Sequence, residues 1–248
     1  MKIKIILFIF IILSLALGYI WIIKFVNPSD ILTDEESKSS IDNESPNLAS
    51  QSISPKTIPL PASYQIHNVP FEPQAPFANW DHLHDEACEE ASLIIVNYYL
   101  TNQGLNASIM EDQIQKITSW EIDNWQVPDK DLTVAELKII AENFYHLNPE
   151  IKKINELNDI KKQISSGHIV IVPAAGRLLG NPNFRSPGPI YHMLVVTGYT
   201  PSGFITNDVG TKRGLNFQYK NDIFFSAIHD WSGSSDTINS GEKLMLVF

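Results

Sequence analysis

Cys88 is the only cysteine in the 248-residue sequence, and it stands in Asp85-Glu86-Ala87-Cys88-Glu89-Glu90-Ala91-Ser92. A thiol attacks a carbonyl carbon as the thiolate, so a catalytic cysteine needs surroundings that favour the anion and a base that takes the proton. The apolar residues Ala91, Leu93, Ile94, Ile95, Val96, Tyr98 and Tyr99 predict a helix over 85–100, with Cys88 near its first turn. The free N–H groups and partial positive charge of a helix start favour a thiolate. The acids Asp85, Glu86, Glu89 and Glu90 also suit a helix start, yet a carboxylate aimed at the sulfur raises the thiol pKa. Position alone favours a small buried apolar residue, which is what most lone cysteines are.

The base must come from seven histidines. His67, His82, His84 and His146 fall in loops or at helix ends, His168 opens a strand, and His229 lies near Trp231. His192 differs, because it opens the apolar segment Tyr191–Tyr199. A polar ring there either finds a partner or opens onto a cleft. The turn-like Thr200-Pro201-Ser202-Gly203 joins that segment to a second strand that ends at Asp208, which predicts an antiparallel hairpin. Such a hairpin returns Asp208 to the side of His192, where it can orient the imidazole. A satisfied core histidine is the bland alternative, and the carboxylate closing the hairpin favours a working pair.

The elements that must position these groups read as helices first and strands later. Tyr64 to Phe71 reads as extended, and Pro73 and Pro76 then impose a loop. Ser108 can cap a helix running to about Trp120. Thr133 with Glu136 forms a capping box before a helix over Val134–Tyr145, and Asn158 can cap a short helix ending near Gly167. His168–Pro173, Tyr191–Tyr199, Phe204–Asn207, Leu215–Tyr219 and Lys243–Phe248 read as strands. This order predicts an α+β domain with antiparallel strands. The Gly- and Pro-rich stretch 174–190 leads into His192 and is expected to form a wall of a substrate cleft. Trp80, Trp120, Trp125 and Trp231 are expected in the core or at the rim.

These blocks together resemble the papain-like cysteine peptidases of the bacteriocin leader-peptidase type (family thirty-nine), in their stand-alone branch. The resemblance rests on Val69-Pro70-Phe71-Glu72-Pro73-Gln74, on Cys88-Glu89-Glu90-Ala91-Ser92-Leu93, and on Tyr191-His192 through Gly198-Tyr199 with Ile205-Thr206-Asn207-Asp208. Gly167-His168-Ile169-Val170-Ile171-Val172-Pro173 matches the strand before the histidine. The resemblance implies a papain-like fold over 63–248 and hydrolysis of peptide bonds. It implies that Cys88 is the nucleophile, His192 the base and later the acid, and Asp208 the residue that orients His192. It further implies an oxyanion hole made by Gln74 and the Cys88 backbone N–H. No cofactor is implied. Many members carry Gly-Pro after the cysteine, where Glu89 and Glu90 stand here. The name-giving enzymes are fused to peptide exporters, so cleavage of exported leader peptides is not implied.

The rest of the chain bears on location. Ile5 to Ile23 is 19 residues without a charge, flanked by Lys2, Lys4 and Lys24. As a helix it would span roughly 28 Å, close to the hydrocarbon thickness. The run ends in Tyr19-Ile20-Trp21-Ile22-Ile23 with no small-x-small site, so an uncleaved anchor over 1–26 is favoured over a cleaved signal segment. Positive residues before the run place its N-terminus in the cytoplasm and the peptidase domain outside. Residues 27–62 are Ser- and Pro-containing, acidic and without apolar period, as expected of a flexible linker. The net charge of −10 offers no surplus for a general nucleic-acid face, and one cysteine excludes an intramolecular disulfide. No obligate oligomer is predicted.

Three alternatives stay open. Asp81, His82, His84 and Cys88 could supply ligands to a metal. The same fold could bind peptides without cleaving them. The same triad could also serve an amidase or transpeptidase, since it suits any acyl transfer.

Overall fold

The computed structural model describes residues 59–126 and 130–248. The expected anchor over 1–26 and most of the linker over 27–62 lie outside the described residues. Among the described residues, no helix is long and apolar enough to cross a membrane.

Seven strands form one sheet: β1 (Tyr64–Gln65), β2 (Glu150–Lys153), β3 (Val170–Ala175), β4 (Tyr191–Tyr199), β5 (Gly203–Asn207), β6 (Phe217–Lys220) and β7 (Leu244–Val247). Their spatial order is β2-β7-β3-β4-β5-β6, with β1 added against β4. Every pairing among them is antiparallel. The helices are α1 (His82–Asp85), α2 (Cys88–Leu100), α3 (Ala107–Trp125), α4 (Val134–Asn143), α5 (Leu157–Ser165), α6 (Gly176–Leu179) and α7 (Asn221–Ala227). The expected α+β class is what forms.

All nine residues of β4 and all six of β3 are buried. Their apolar runs do not alternate, which is the mark of strands covered on both faces. Pro173 is tolerated in β3 because β7 pairs only with Val170 and Ile171. The missing N–H of Pro173 therefore breaks no ladder on that side. The β4–β5 hairpin forms as expected, with Val195 opposite Asn207 and a register slip between Val196 and Gly198.

The helix expected over 85–100 is interrupted. Asp81 caps the single turn α1 by accepting from the His84 N–H, and α2 starts afresh at Cys88. The break makes Cys88 the first helical residue. Ala91, Leu93, Ile94, Ile95 and Val96 are fully buried, so α2 is central rather than one-sided. Leu93, Ile94, Ile95 and Val96 each contribute about 1.5–3 kcal/mol by leaving water, which fixes α2 against the sheet.

Other boundaries move for local reasons. Asn106, not Ser108, caps α3, which continues to Trp125. α4 has the expected capping box of Thr133 and Glu136. α5 is capped by Glu156 with Asp159 rather than by Asn158. Of the extended stretch expected over 64–71, only Tyr64 and Gln65 pair as a strand. Residues 174 and 175 complete β3, and 176–179 form α6, so the wall loop begins later than expected. β2, α6 and α7 are unexpected. Each is short, and β2 is mostly exposed, which leaves little alternation to read.

Candidate active site

His192 is the second residue of β4, opposite Ala174 of β3, and is 1% exposed. Asp208 follows β5 directly and is fully buried. The hairpin sets His192 Nε2 at 2.8 Å from Asp208 Oδ1. Three further donors converge on the same carboxylate. Gly210 N–H reaches Oδ1 at 3.0 Å, while Asn181 Nδ2 at 3.0 Å and the Tyr219 hydroxyl reach Oδ2. Burial alone would push the Asp208 carboxyl up; His192, Tyr219 and Gly210 outweigh it and hold it below the usual range. With Nε2 given to Asp208, Nδ1 is the nitrogen left to take a thiol proton.

The imidazole is held by close packing as well. The Phe184 ring meets it edge-on at 5.3 Å. A Cβ added to Gly210 would lie 2.9 Å from His192 Cε1, so only glycine leaves room for the ring there.

Cys88 is 5% exposed. Its Sγ accepts from the Met193 N–H at 3.3 Å, which sets the sulfur against the strand carrying His192. Its own hydrogen bond goes to Glu89 Oε2 at 2.9 Å, not to the imidazole. Glu89 Oε1 accepts from the Leu132 N–H at 2.9 Å. One of the four acids thus does point at the sulfur. Burial pushes the Cys88 thiol well up, Glu89 adds to this, and the Met193 N–H opposes it. Burial likewise pushes Glu89 up to about 8. Burial and the Glu89 carboxyl thus oppose the low thiol pKa that the helix start suggested.

Gln74 is 3% exposed and lines the same cleft as Cys88 and His192. Its Nε2 donates to His84 O at 2.7 Å and to Asp85 O at 3.2 Å. Its Oε1 is buried without a partner. The backbone N–H of Cys88, first in its helix, has no carbonyl four residues back to bond.

The cleft has a volume of about 930 Å3. Residues 183–190 line it as one wall, which is where the sequence placed them, and Trp80 and Trp231 stand along it. Asp85, Glu86 and Asp131 line it too, as do Arg177, Arg185 and Lys212. Burial and the Glu86 carboxylate push Asp131 up to about 6.

Of the residues weighed as metal ligands, Asp81, His84 and Cys88 do different work. His84 is buried, with Nδ1 at 2.6 Å from Asp81 Oδ1 and Nε2 at 2.8 Å from Glu111 Oε2. It ties α1 to α3 as an ion pair, while Cys88 faces Glu89 and Met193. Among the described residues, no group of three or more His, Cys, Asp or Glu is arranged so that it could hold a metal ion.

Sequence reasoning missed Asn181 and Tyr219, which hold Asp208, and the aim of Glu89. Tyr219 lies in an expected strand, but nothing in its spacing marks the buried partner. Asn181 sits just after the αL residue Gly180 that ends α6, in a stretch read only as loop.

A family model described as "Peptidase_C39 like family" matches residues 66–236. Among curated proteins none matches at a significant level. Eleven chains of solved structures match. One is a crystal structure described as that of a "putative C39-like peptidase" from Bacillus anthracis. It is 15% identical with a TM-score of 0.50, over 75% of this chain and 97% of that one. At that identity the likeness speaks for the fold alone.

Proposed function

Because this chain belongs to the Peptidase_C39-like family, we propose that it is a cysteine peptidase that hydrolyses peptide bonds through Cys88, His192 and Asp208. The observation that carries the proposal is the buried His192–Asp208 pair, 2.8 Å apart, in one cleft with a cysteine at a helix start. His192 Nδ1 takes the Cys88 proton, and the thiolate attacks the substrate carbonyl. The oxyanion is met by the Cys88 N–H and by Gln74, whose longer bond to Asp85 O is the one it can release. The imidazolium then protonates the leaving amine, and water attacks the thioester with His192 as base. Asp208 keeps the proton on Nε2 throughout and balances the imidazolium. An amidase or transpeptidase would share every step to the thioester.

The apolar run 5–23 supports a further part of the proposal, in which the enzyme is anchored by its N-terminus and works outside the cytoplasm on a peptide or protein substrate. One observation favours a second reading, a catalytically silent peptide-binding module: the thiol is bonded to Glu89 rather than to His192. Incubating the full-length protein with a defined peptide mixture, and sequencing new termini by mass spectrometry, separates the two. Cleavage that disappears in Cys88→Ala supports the peptidase. Peptide retention by wild type and Cys88→Ala alike, without new termini, supports the binding module.

A further inference from the structure

Glu89 has no role in the mechanism above, yet it touches the reacting sulfur. It is 1% exposed, and its two oxygens are differently committed. Oε1 accepts the Leu132 N–H, which leaves Oε2, 2.9 Å from Cys88 Sγ, as the oxygen able to carry a proton. We infer that Glu89 works as a neutral carboxylic acid whose Oε2 donates a hydrogen bond to the Cys88 thiolate. The inference rests on the proposed nucleophile.

The surroundings favour the acid form. On α2 the next residue, Glu90, is itself a fully buried carboxyl pushed well up by burial and by Glu121 of α3. From the segment before α4 come the Leu132 N–H and the carboxyl of Asp131. From β4 come Tyr191 and His192. The Tyr191 hydroxyl is engaged by Leu132 O and Asp230. His192 has its Nε2 held by Asp208. Arg177, Arg185 and Lys212 line the cleft. Among the described residues none of them is hydrogen-bonded to Glu89. An ionised carboxylate would thus be buried next to other acids and without a paired cation, which water-free surroundings penalise strongly.

The proton bookkeeping closes without another reactant. The Cys88 S–H bond breaks and an N–H bond forms at His192 Nδ1. The Glu89 O–H stays intact and turns its hydrogen to the new thiolate. When alkali removes the Glu89 proton, the donor becomes an anion beside the sulfur, and the thiol form regains preference. A neutral buried carboxylic acid acting as a donor to a developing anion is established chemistry in other enzymes.

The test is the rate of Cys88 alkylation by iodoacetamide against pH, in the full-length wild type, Glu89→Gln and His192→Ala. Glutamine keeps the acceptor for Leu132 and an N–H donor for sulfur, with no proton to lose. The wild-type rate is expected to plateau near neutral pH, drop about threefold or more between roughly pH 7 and pH 9, and rise again in stronger alkali. Glu89→Gln is expected to keep the neutral plateau and lose the drop. The wild-type curve needs no variant, so a Glu89→Gln chain that fails to fold leaves the test in force. A His192-dependent plateau without the alkaline drop, or a drop that survives in a folded Glu89→Gln, overturns the inference alone. Identical curves in wild type and His192→Ala overturn the nucleophile reading, and the inference with it.

Discussion

Replacing Asp208 by asparagine keeps the shape of the side chain and removes its charge. Four donors converge on the carboxylate: His192 Nε2 and Gly210 N–H on Oδ1, Asn181 Nδ2 and the Tyr219 hydroxyl on Oδ2. A carboxamide cannot satisfy all four. With its nitrogen on the His192 side, it meets a Gly210 N–H that cannot accept. His192 could accept there only by moving its proton to Nδ1, the nitrogen the thiol needs. With its nitrogen on the other side, it meets the Tyr219 oxygen, which can accept, and the Asn181 amide nitrogen, which cannot. In both orientations a buried donor is orphaned and the imidazolium loses its counter-charge. One charge-assisted hydrogen bond contributes about 1.5–3 kcal/mol, a factor of roughly 10 to 150 in the imidazolium population. The second-order rate of Cys88 alkylation at neutral pH is therefore expected to fall by that factor in Asp208→Asn. Urea unfolding should show a loss of similar size. A folded variant that alkylates within about twofold of wild type would refute the idea that Asp208 sustains the working form of His192.

Further expectations concern the surroundings of that pair. Tyr219→Phe removes one donor and leaves Asn181 on the same oxygen; unfolding measurements should show a loss of about 1.5–3 kcal/mol, and no loss would count against the network. Gly210→Ala puts a methyl 2.9 Å from His192 Cε1, so alkylation at neutral pH should drop while the far-ultraviolet circular dichroism stays unchanged. Stability should fall as pH rises from about 4 to 8. Glu89, pushed up to about 8, Asp131, to about 6, and Glu90, well up, bind protons more tightly folded than unfolded. Each is protonated in the native state over the window between its unfolded and folded values, so stability present in acid is lost through that window. Burial opposes the His84 imidazolium, but Asp81 and Glu111 raise its pKa, and its contribution is also lost as pH rises through the folded value. Urea midpoints near pH 5 and pH 8 check this; a midpoint that rises with pH contradicts it.

The long apolar elements were legible because their burial leaves a run of types that turn chemistry then bounds. Tyr191–Tyr199 and the hairpin to Asp208 are the clearest case, since an unbroken apolar run followed by a turn signal also fixes which ends meet. The helix starts were legible where a local hydrogen bond sets them, as at Thr133 with Glu136. What the sequence hid is long-range. Asn181 and Tyr219 reach Asp208 from 27 and 11 residues away, and no spacing rule encodes those approaches. The break before Cys88 was hidden because no glycine or proline between Asp85 and Cys88 marks it. The aim of Glu89 was hidden because an acid in the first turn of a helix is ordinary, and only its bond to Leu132, 43 residues on, turns it inward. Gln74 was placed at the cleft by resemblance, whereas its bonds to His84 O and Asp85 O follow from the turn of α1.

The central claim is that Cys88 and His192 act together on a peptide carbonyl. Its most direct test is intact-mass analysis of the full-length protein treated at neutral pH with a peptide that ends in an electrophilic ketone. The account predicts one adduct per chain, mapped to Cys88, in the wild type. It also predicts a loss of labelling in His192→Ala under conditions where strong alkali still allows iodoacetamide to reach the same thiol. Equal labelling of wild type and His192→Ala, or none in either, contradicts it.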